Sequence, residues 1–173
     1  PLTSRRQHYL ERLQQRTVAL ASSLAPQLGI QALELSPGWR RHELPLADAL
    51  LLARERDRQA GYTSVGPHRA DWSVDFHSIP GRDALSRGQA KLTALACLLA
   101  QAEDYAEQRG EWPVIALDDL GSELDRTHQA RVLQRLLGGP AQIFITATET
   151  PAALQELTHI ARFHVEHAQI VAV

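Results

Sequence analysis

The sequence predicts an α/β fold with a parallel sheet layer joined to part of a helical domain, and three observations carry that expectation. The apolar run Val114-Ile115-Ala116-Leu117 lies between Pro113 and the acid pair Asp118-Asp119, with Gly121 beyond, as expected of a strand buried on both faces. Upstream, Leu92, Leu95, Ala96, Leu99 and Ala102 recur at helical spacing behind Ser86. Downstream, a helical stretch from Arg126 to Leu137 leads into a second apolar run, Gln142 to Thr146, so helices and strands alternate as in a parallel layer.

Each element has a local reason. A helix from Thr3 to Leu24 is stopped by Pro26 and Gly29, and a strand follows near Ile30 to Leu35. Pro37-Gly38 makes a turn, and Pro45 suits the first turn of a helix that ends near Gly61. Tyr62 to His77 alternates enough to give strands on either side of Pro67. The helix behind Ser86 runs polar by Glu107 to Gly110, the strand Val114 to Leu117 follows, then the helix Arg126 to Leu137 and the strand Gln142 to Thr146. A short helix, Pro151 to Leu157, and a strand pair, Phe163 to Val165 and Gln169 to Val173, complete the chain. No repeat or low-complexity tract interrupts it, and the boundary falls near Gly61, giving segments 1–61 and 62–173.

Composition fits one domain, or one and part of a second, with 44% hydrophobic residues to build a core. The lone cysteine, Cys97, rules out a disulfide framework and falls on the apolar face of its helix, where packing is expected. No stretch is long and apolar enough to span a membrane, and a cytoplasmic protein is expected. A net charge of −2 argues against a chain that binds nucleic acid with its whole surface. Local arginine clusters remain: Arg5, Arg6, Arg12 and Arg16 on the first helix, then Arg40, Arg41, Arg54, Arg56 and Arg58. Interleaved Glu11, Glu43, Glu55 and Asp57 make solvated faces the expectation for both.

Two motifs carry chemistry. Ligands of open α/β sheets bind outside the carboxyl ends of the strands, so Asp118 and Asp119 stand where a carboxylate pair holds Mg²⁺ and polarises water. The structural alternative is a pair of solvated acids at a strand end. Ser86, with Gly88 one turn in and Arg87 and Lys91 nearby, makes an anion site, because unpaired amides and the helix dipole both favour negative charge. Its alternative is an ordinary capped helix.

The order of these motifs resembles that of ABC-type ATPase heads. Leu85-Ser86-Arg87-Gly88-Gln89 resembles the signature motif, Val114 to Asp119 a Walker B strand, and Ser122-Glu123-Leu124-Asp125 a D-loop. Gly66-Pro67-His68-Arg69-Ala70-Asp71 and Phe144-Ile145-Thr146-Ala147-Thr148-Glu149 narrow the resemblance to the RecF family of recombinational repair ATPases, related to Rad50 and SMC heads. The likeness is dense from Tyr62 to Glu149. Arg87 stands where transporters carry the second signature glycine, and no histidine follows Thr146 where many ABC proteins have a switch histidine, which leaves Thr146 or Thr148 to sense the γ-phosphate. No Gly-x-x-x-x-Gly-Lys-Ser/Thr loop occurs, and there is no methionine. A C-terminal part of a longer ATPase, with its phosphate loop upstream, is therefore expected, and no hydrolysis by these residues alone.

The resemblance implies a composite ATP site. Ser86, Arg87, Gly88 and Gln89 would reach the nucleotide of a second protomer in trans, making ATP the glue of a homodimer. Asp118 would hold Mg²⁺ directly or through water, Asp119 would act as catalytic base, and Ser122 and Asp125 would couple the two sites. Asp119 replaces the glutamate common in transporters, a departure compatible with slow turnover. Family membership further implies DNA binding at single-strand/double-strand junctions and work with recombination mediator proteins. The alternatives are another SMC/Rad50-like or ABC head, or a non-catalytic interaction fragment.

The Pro67-His68-Arg69 turn has two readings, a cation near the nucleotide or domain interface, and a structural turn with Arg69 paired to Asp71. His164, Glu166 and His167 suggest a metal site only superficially, since in a strand His164 and Glu166 share one face and His167 points to the other.

Overall fold

The first helix, α1 (Leu2–Leu24), buries Leu10, Leu13, Thr17, Leu20, Ala21 and Leu24 along one stripe, the spacing of an amphipathic helix. A 3₁₀ turn at Pro26–Leu28 and a left-handed Gly29 then swing the chain into β1 (Ile30–Ser36). The computed structural model describes residues 1–121, 124–155, 157 and 159–172. It divides into two compact units, Pro1–Pro113 and Val114–Val173.

Within the first unit, β1 pairs antiparallel with β2 (Asp71–Phe76), with Leu33 opposite Val74 and Leu35 opposite Trp72. The segment joining them holds α2 (Leu46–Ala60), which ends on Gly61 in the left-handed conformation. Because β1 and β2 pair across it, Gly61 lies inside this unit. The long helix α3 (Arg87–Arg109) packs against α1, contributing Leu92, Leu95, Ala96, Leu99 and Ala100 to the same core, and a left-handed Gly110 closes it.

An ion pair joins the two long helices. Asp104, only 5% exposed on α3, accepts from Arg12 Nε at 3.2 Å and Nη2 at 3.1 Å, and from Gln108 Nε2 at 3.0 Å. The fork-to-fork geometry matches a planar guanidinium to a carboxylate, and it serves the charge of an acid that would otherwise be buried at a prohibitive cost. Arg16 pairs with Glu107 one turn further on, and Arg6 Nη1 donates to the Pro67 carbonyl at 2.6 Å. The α1 arginines, expected to face solvent, are thus partly spent inside the fold.

Residues 62–70 depart from expectation. The sequence predicts strands on both sides of Pro67, but only β2 forms, and Pro67–Arg69 is a 3₁₀ turn. Two glycines explain it. The Gly66 amide donates to the Gly38 carbonyl at 2.9 Å, and a Cβ on Gly38 would lie 2.2 Å from the Gly66 oxygen, so the backbones meet where no side chain fits. Nor does Arg69 pair with Asp71. Its Nε donates to the Thr63 carbonyl at 2.9 Å and its guanidinium stacks 4.9 Å from the Tyr62 ring centroid, while Asp71 accepts from the Trp72 amide.

The second unit opens with β3 (Ile115–Leu117), crosses through α4 (Arg126–Leu137) and returns in β4 (Ile143–Ile145), parallel to β3 with Ala116 opposite Phe144. Its buried side chains are Leu120, Leu124, Val132, Leu133, Leu136 and Leu154, the last on the short helix α5 (Ala152–Gln155). The strand expected to be buried on both faces is covered on one only. In this two-stranded parallel sheet the inward residues are half-buried while Val114, Ala116 and Phe144 are exposed.

The chain then forms the hairpin β5 (Phe163–Glu166) and β6 (Gln169–Ala172), turned by His167 and Ala168, both with positive φ. That turn corrects the expected geometry of His167. It leaves the strand alternation, so Glu166 contacts both His164 (3.5 Å) and His167 (3.6 Å). Among the described residues no cluster of three His, Cys, Asp or Glu side chains is arranged to hold a metal ion, and no helix is long and apolar enough to cross a membrane.

Two left-handed glycines separate strain from contact. Gly61 has open space around the position of a Cβ, so Gly61→Ala should cost only the left-handed penalty, about 1–2 kcal/mol. Gly38→Ala adds a collision with backbone atoms and should be distinctly more destabilising. Urea unfolding of the two variants tests this, and equal midpoints would contradict the close approach of Gly38 and Gly66.

Candidate functional site

An α-helix begins with amides that have no partner of their own, and α3 resolves this with a complete capping box. The Gln89 amide donates to Ser86 Oγ at 3.3 Å, and Gln89 Oε1 accepts from the Ser86 amide at 2.8 Å. Ser86 and Arg87 are exposed, and Gly88 and Gln89 are half-buried. The four residues that resemble a signature motif thus come together at one helix start. The box engages the side chains of Ser86 and Gln89 with each other's backbone and leaves the amides of Arg87 and Gly88 outside it. With Arg87 adjacent, this end of the helix suits an anion. Cys97 sits on the buried side of the helix, and burial pushes its thiol up to about 11, which keeps it protonated and unreactive near neutrality.

The acid pair ends β3 in the second unit. The ladder continues past the strand, with Ile115 N donating to Gln142 O, Thr146 N to Leu117 O (both 2.9 Å) and Leu120 N to Thr146 O at 3.3 Å. Asp118 and Asp119 are both exposed, and Asp119 has φ +44, a left-handed conformation uncommon outside glycine. Thr146, at the end of β4, lies between them: its hydroxyl accepts from the Asp119 amide at 2.9 Å and donates to Asp118 Oδ1 at 2.5 Å. Asp118, Asp119 and Thr146 are therefore one hydrogen-bonded group. Thr148 lies two residues further on, exposed in the following bend.

The D-loop residues divide. Ser122 lies outside the described residues. Asp125 is the N-cap of α4, its Oδ1 accepting from the His128 amide at 2.9 Å and its Oδ2 contacting His128 Nδ1 at 2.8 Å. These hydrogen bonds, the backbone one first and the imidazole second, hold the Asp125 carboxyl below the usual aspartate range. The sequence pattern alone does not single out His128. The signal lies in the cap, since an acid at an N-cap meets the third residue of its helix.

Two hard carboxylates exposed at the end of a parallel strand make a donor set of the kind Mg²⁺ prefers, and the start of α3 offers backbone donors to an anion. Comparison with known proteins gives this chemistry a context. No protein-family model matches the chain. The DNA replication and repair protein RecF of Stenotrophomonas maltophilia (strain R551-3) is 96% identical over all 173 residues, which make up 48% of that protein. The chain spans about half the length of the curated relatives it matches. Among solved structures, one described as the recombination mediator protein RecF-ATP in the RecFOR pathway superposes with a TM-score of 0.71 at 24% identity, over 98% of this chain and 46% of that one. A structure from work on ATP-driven dimerization and DNA stimulated activation of SMC ATPases reaches 0.57 at 15% identity, over 99% of this chain and 89% of that one. At these identities both show the fold alone, that of a RecF- or SMC-type head.

The Asp125 cap gives a pH prediction. Its folded-state pKa is depressed, so its contribution is present above the ordinary aspartate value of 3.8 and is lost as pH falls through the lower, folded value. His128→Ala keeps the backbone hydrogen bond and removes the imidazole. Carboxyl-carbon NMR should then show the Asp125 midpoint moving up toward 3.8; an unmoved midpoint would mean that the imidazole contact is absent in solution.

Proposed function

Because this chain belongs to the RecF family, we propose that it supplies the signature-bearing part of a DNA repair ATPase that dimerises on ATP. The observation that carries the reading is the acid pair at the carboxyl end of β3, turned out of the strand at Asp119 and tied to Thr146.

In this reading the start of α3 meets the terminal phosphate bound by a second protomer. Gly88 lets the helix backbone approach closely, the amides of Arg87 and Gly88 donate, and Arg87 adds charge that Ser86 and Gln89 orient through their capping box. Ser86 and Gln89 reach the phosphate at the expense of that box. In its own protomer Asp118 is the ligand for Mg²⁺, directly or through water; the ion, when bound, neutralises phosphate charge as it develops. Asp119 orients the attacking water and takes its proton. Asp125, with Ser122, transmits the state of one site to the other, and its bond to His128 sets its position. Residues 1–61 belong functionally to an inserted helical domain and residues 62–173 to the head.

DNA at single-strand/double-strand junctions is the proposed partner, together with recombination mediator proteins. Arg40, Arg41, Arg54, Arg56 and Arg58 are exposed, and although Arg40 and Arg58 pair with the exposed Glu43 and Glu55 and Arg56 lies 3.8 Å from Asp57, a phosphate could compete for them more readily than for Arg12, which serves the buried Asp104.

Sedimentation of the protein at its relatives' full length, with and without Mg-ATP, tests this reading. Wild type should dimerise on ATP, Ser86→Arg should abolish the dimer, and Asp119→Asn should retain it while slowing hydrolysis by roughly 100-fold or more. Nucleotide-independent behaviour of wild type and Ser86→Arg alike would reduce Leu85 to Gln89 to a capped helix. Unchanged turnover in Asp119→Asn would remove the base.

A further inference from the structure

We propose that Thr146 is a positioning residue that fixes the acid pair, and that it does not sense phosphate. The proposal rests on the reading of Asp118 and Asp119 given above, and it follows from counting what one hydroxyl can do. A threonine hydroxyl has a single proton to donate and two lone pairs to accept with. The proton is committed to Asp118 Oδ1 at 2.5 Å, the short distance of a charge-assisted bond, and one lone pair takes the Asp119 amide at 2.9 Å. What remains is a lone pair, which a phosphate oxygen, itself an acceptor, cannot use. Sensing through Thr146 would require its bond to Asp118 to break. Of the two threonines at this strand end, Thr148 is left for that role.

The backbone shows what the hydroxyl achieves. A strand continuing beyond Leu117 would send consecutive side chains to opposite faces. Instead Asp119 adopts φ +44, a left-handed conformation that aspartate tolerates better than most residues but that still needs to be held. Thr146 does so at three points: its amide holds Leu117, its hydroxyl holds the Asp119 amide, and its carbonyl accepts from Leu120. Only the hydroxyl also reaches the Asp118 side chain. It ties the Asp118 carboxylate and the Asp119 backbone to β4, so that both positions are fixed before any ligand arrives.

Thr146→Val keeps the shape and the backbone bonds and deletes the hydroxyl. Amide hydrogen exchange on this chain should show the Asp119 N–H exchanging roughly tenfold faster. At the relatives' full length, kcat should fall about 10- to 100-fold, the cost of a misplaced catalytic group, while ATP affinity and ATP-driven dimerisation change less than about twofold, since no contact to phosphate is lost. Thr146→Ser should restore wild-type exchange and turnover. If valine disrupts the sheet, Thr146→Ala with the same serine control takes its place. Unchanged Asp119 exchange would overturn the proposal, and so would a tenfold loss of ATP affinity, which is the mark of a sensor. Should Asp119→Asn leave hydrolysis intact, the base assignment fails by itself, and the exchange measurement still decides whether Thr146 holds the turn.

Discussion

Unsatisfied amides at the start of a helix govern two of the three sequence motifs that look functional here. α3 and α4 each begin with backbone donors that need an acceptor, and the residues that answer, Ser86 with Gln89 and Asp125 with His128, lie in the segments that resemble a signature motif and a D-loop. A residue that caps its own helix has its side chain already engaged. Under the proposed mechanism the motif therefore presents backbone donors and fixed charge, and nucleotide contact through the Ser86 or Gln89 side chain competes with the box. That competition sets a threshold for engagement, since a ligand must offer more than the capping bonds it displaces.

The charge distribution obeys a similar economy. Asp104, buried on α3, requires a cation, and Arg12 provides one with geometry matched to a carboxylate. Arg16 and Arg6 extend the same seam, to Glu107 and to the Pro67 carbonyl. The basic stripe of α1, expected to be a solvated face, is in large part the fastening between α1, α3 and the Gly66–Arg69 turn. Exposed arginines are found instead around α2 and in the turn before it, where Arg40 and Arg58 pair with the exposed Glu43 and Glu55.

Much of this was legible in the sequence. Helical periodicity and cap residues located α1, α3 and α4 to within a residue or two, because each is a local property of a long amphipathic segment. The helix caps at Ser86 and Asp125 and the strand end at Asp118-Asp119 were legible for the same reason. What escaped depends on distant partners. Residues 62–66 alternate like a strand, but the approach of Gly38 bends them into a turn, and nothing local to Tyr62 announces Gly38. The run Val114 to Leu117 is apolar enough for two buried faces, yet burial depends on the neighbours a strand is given, and in this two-stranded sheet one face stays open. The tie from Thr146 to Asp118 spans 28 positions and appears only once β3 and β4 are in register.

That register bears on why an aspartate can stand where transporters use glutamate. A shorter arm has one fewer rotatable bond, so its carboxylate is placed more by the backbone than by side-chain freedom. At Asp119 the backbone is constrained, because a left-handed turn held by Thr146 leaves little room for the chain to adjust. Reach is exchanged for pre-organisation. In the proposed switch, hydrolysis then waits on the partner protomer completing the site, since an arm that cannot stretch must have water and phosphate brought to it. Under that proposal slow turnover is the expected consequence of the turn at Asp119, and it would suit an ATPase whose dimer has to persist.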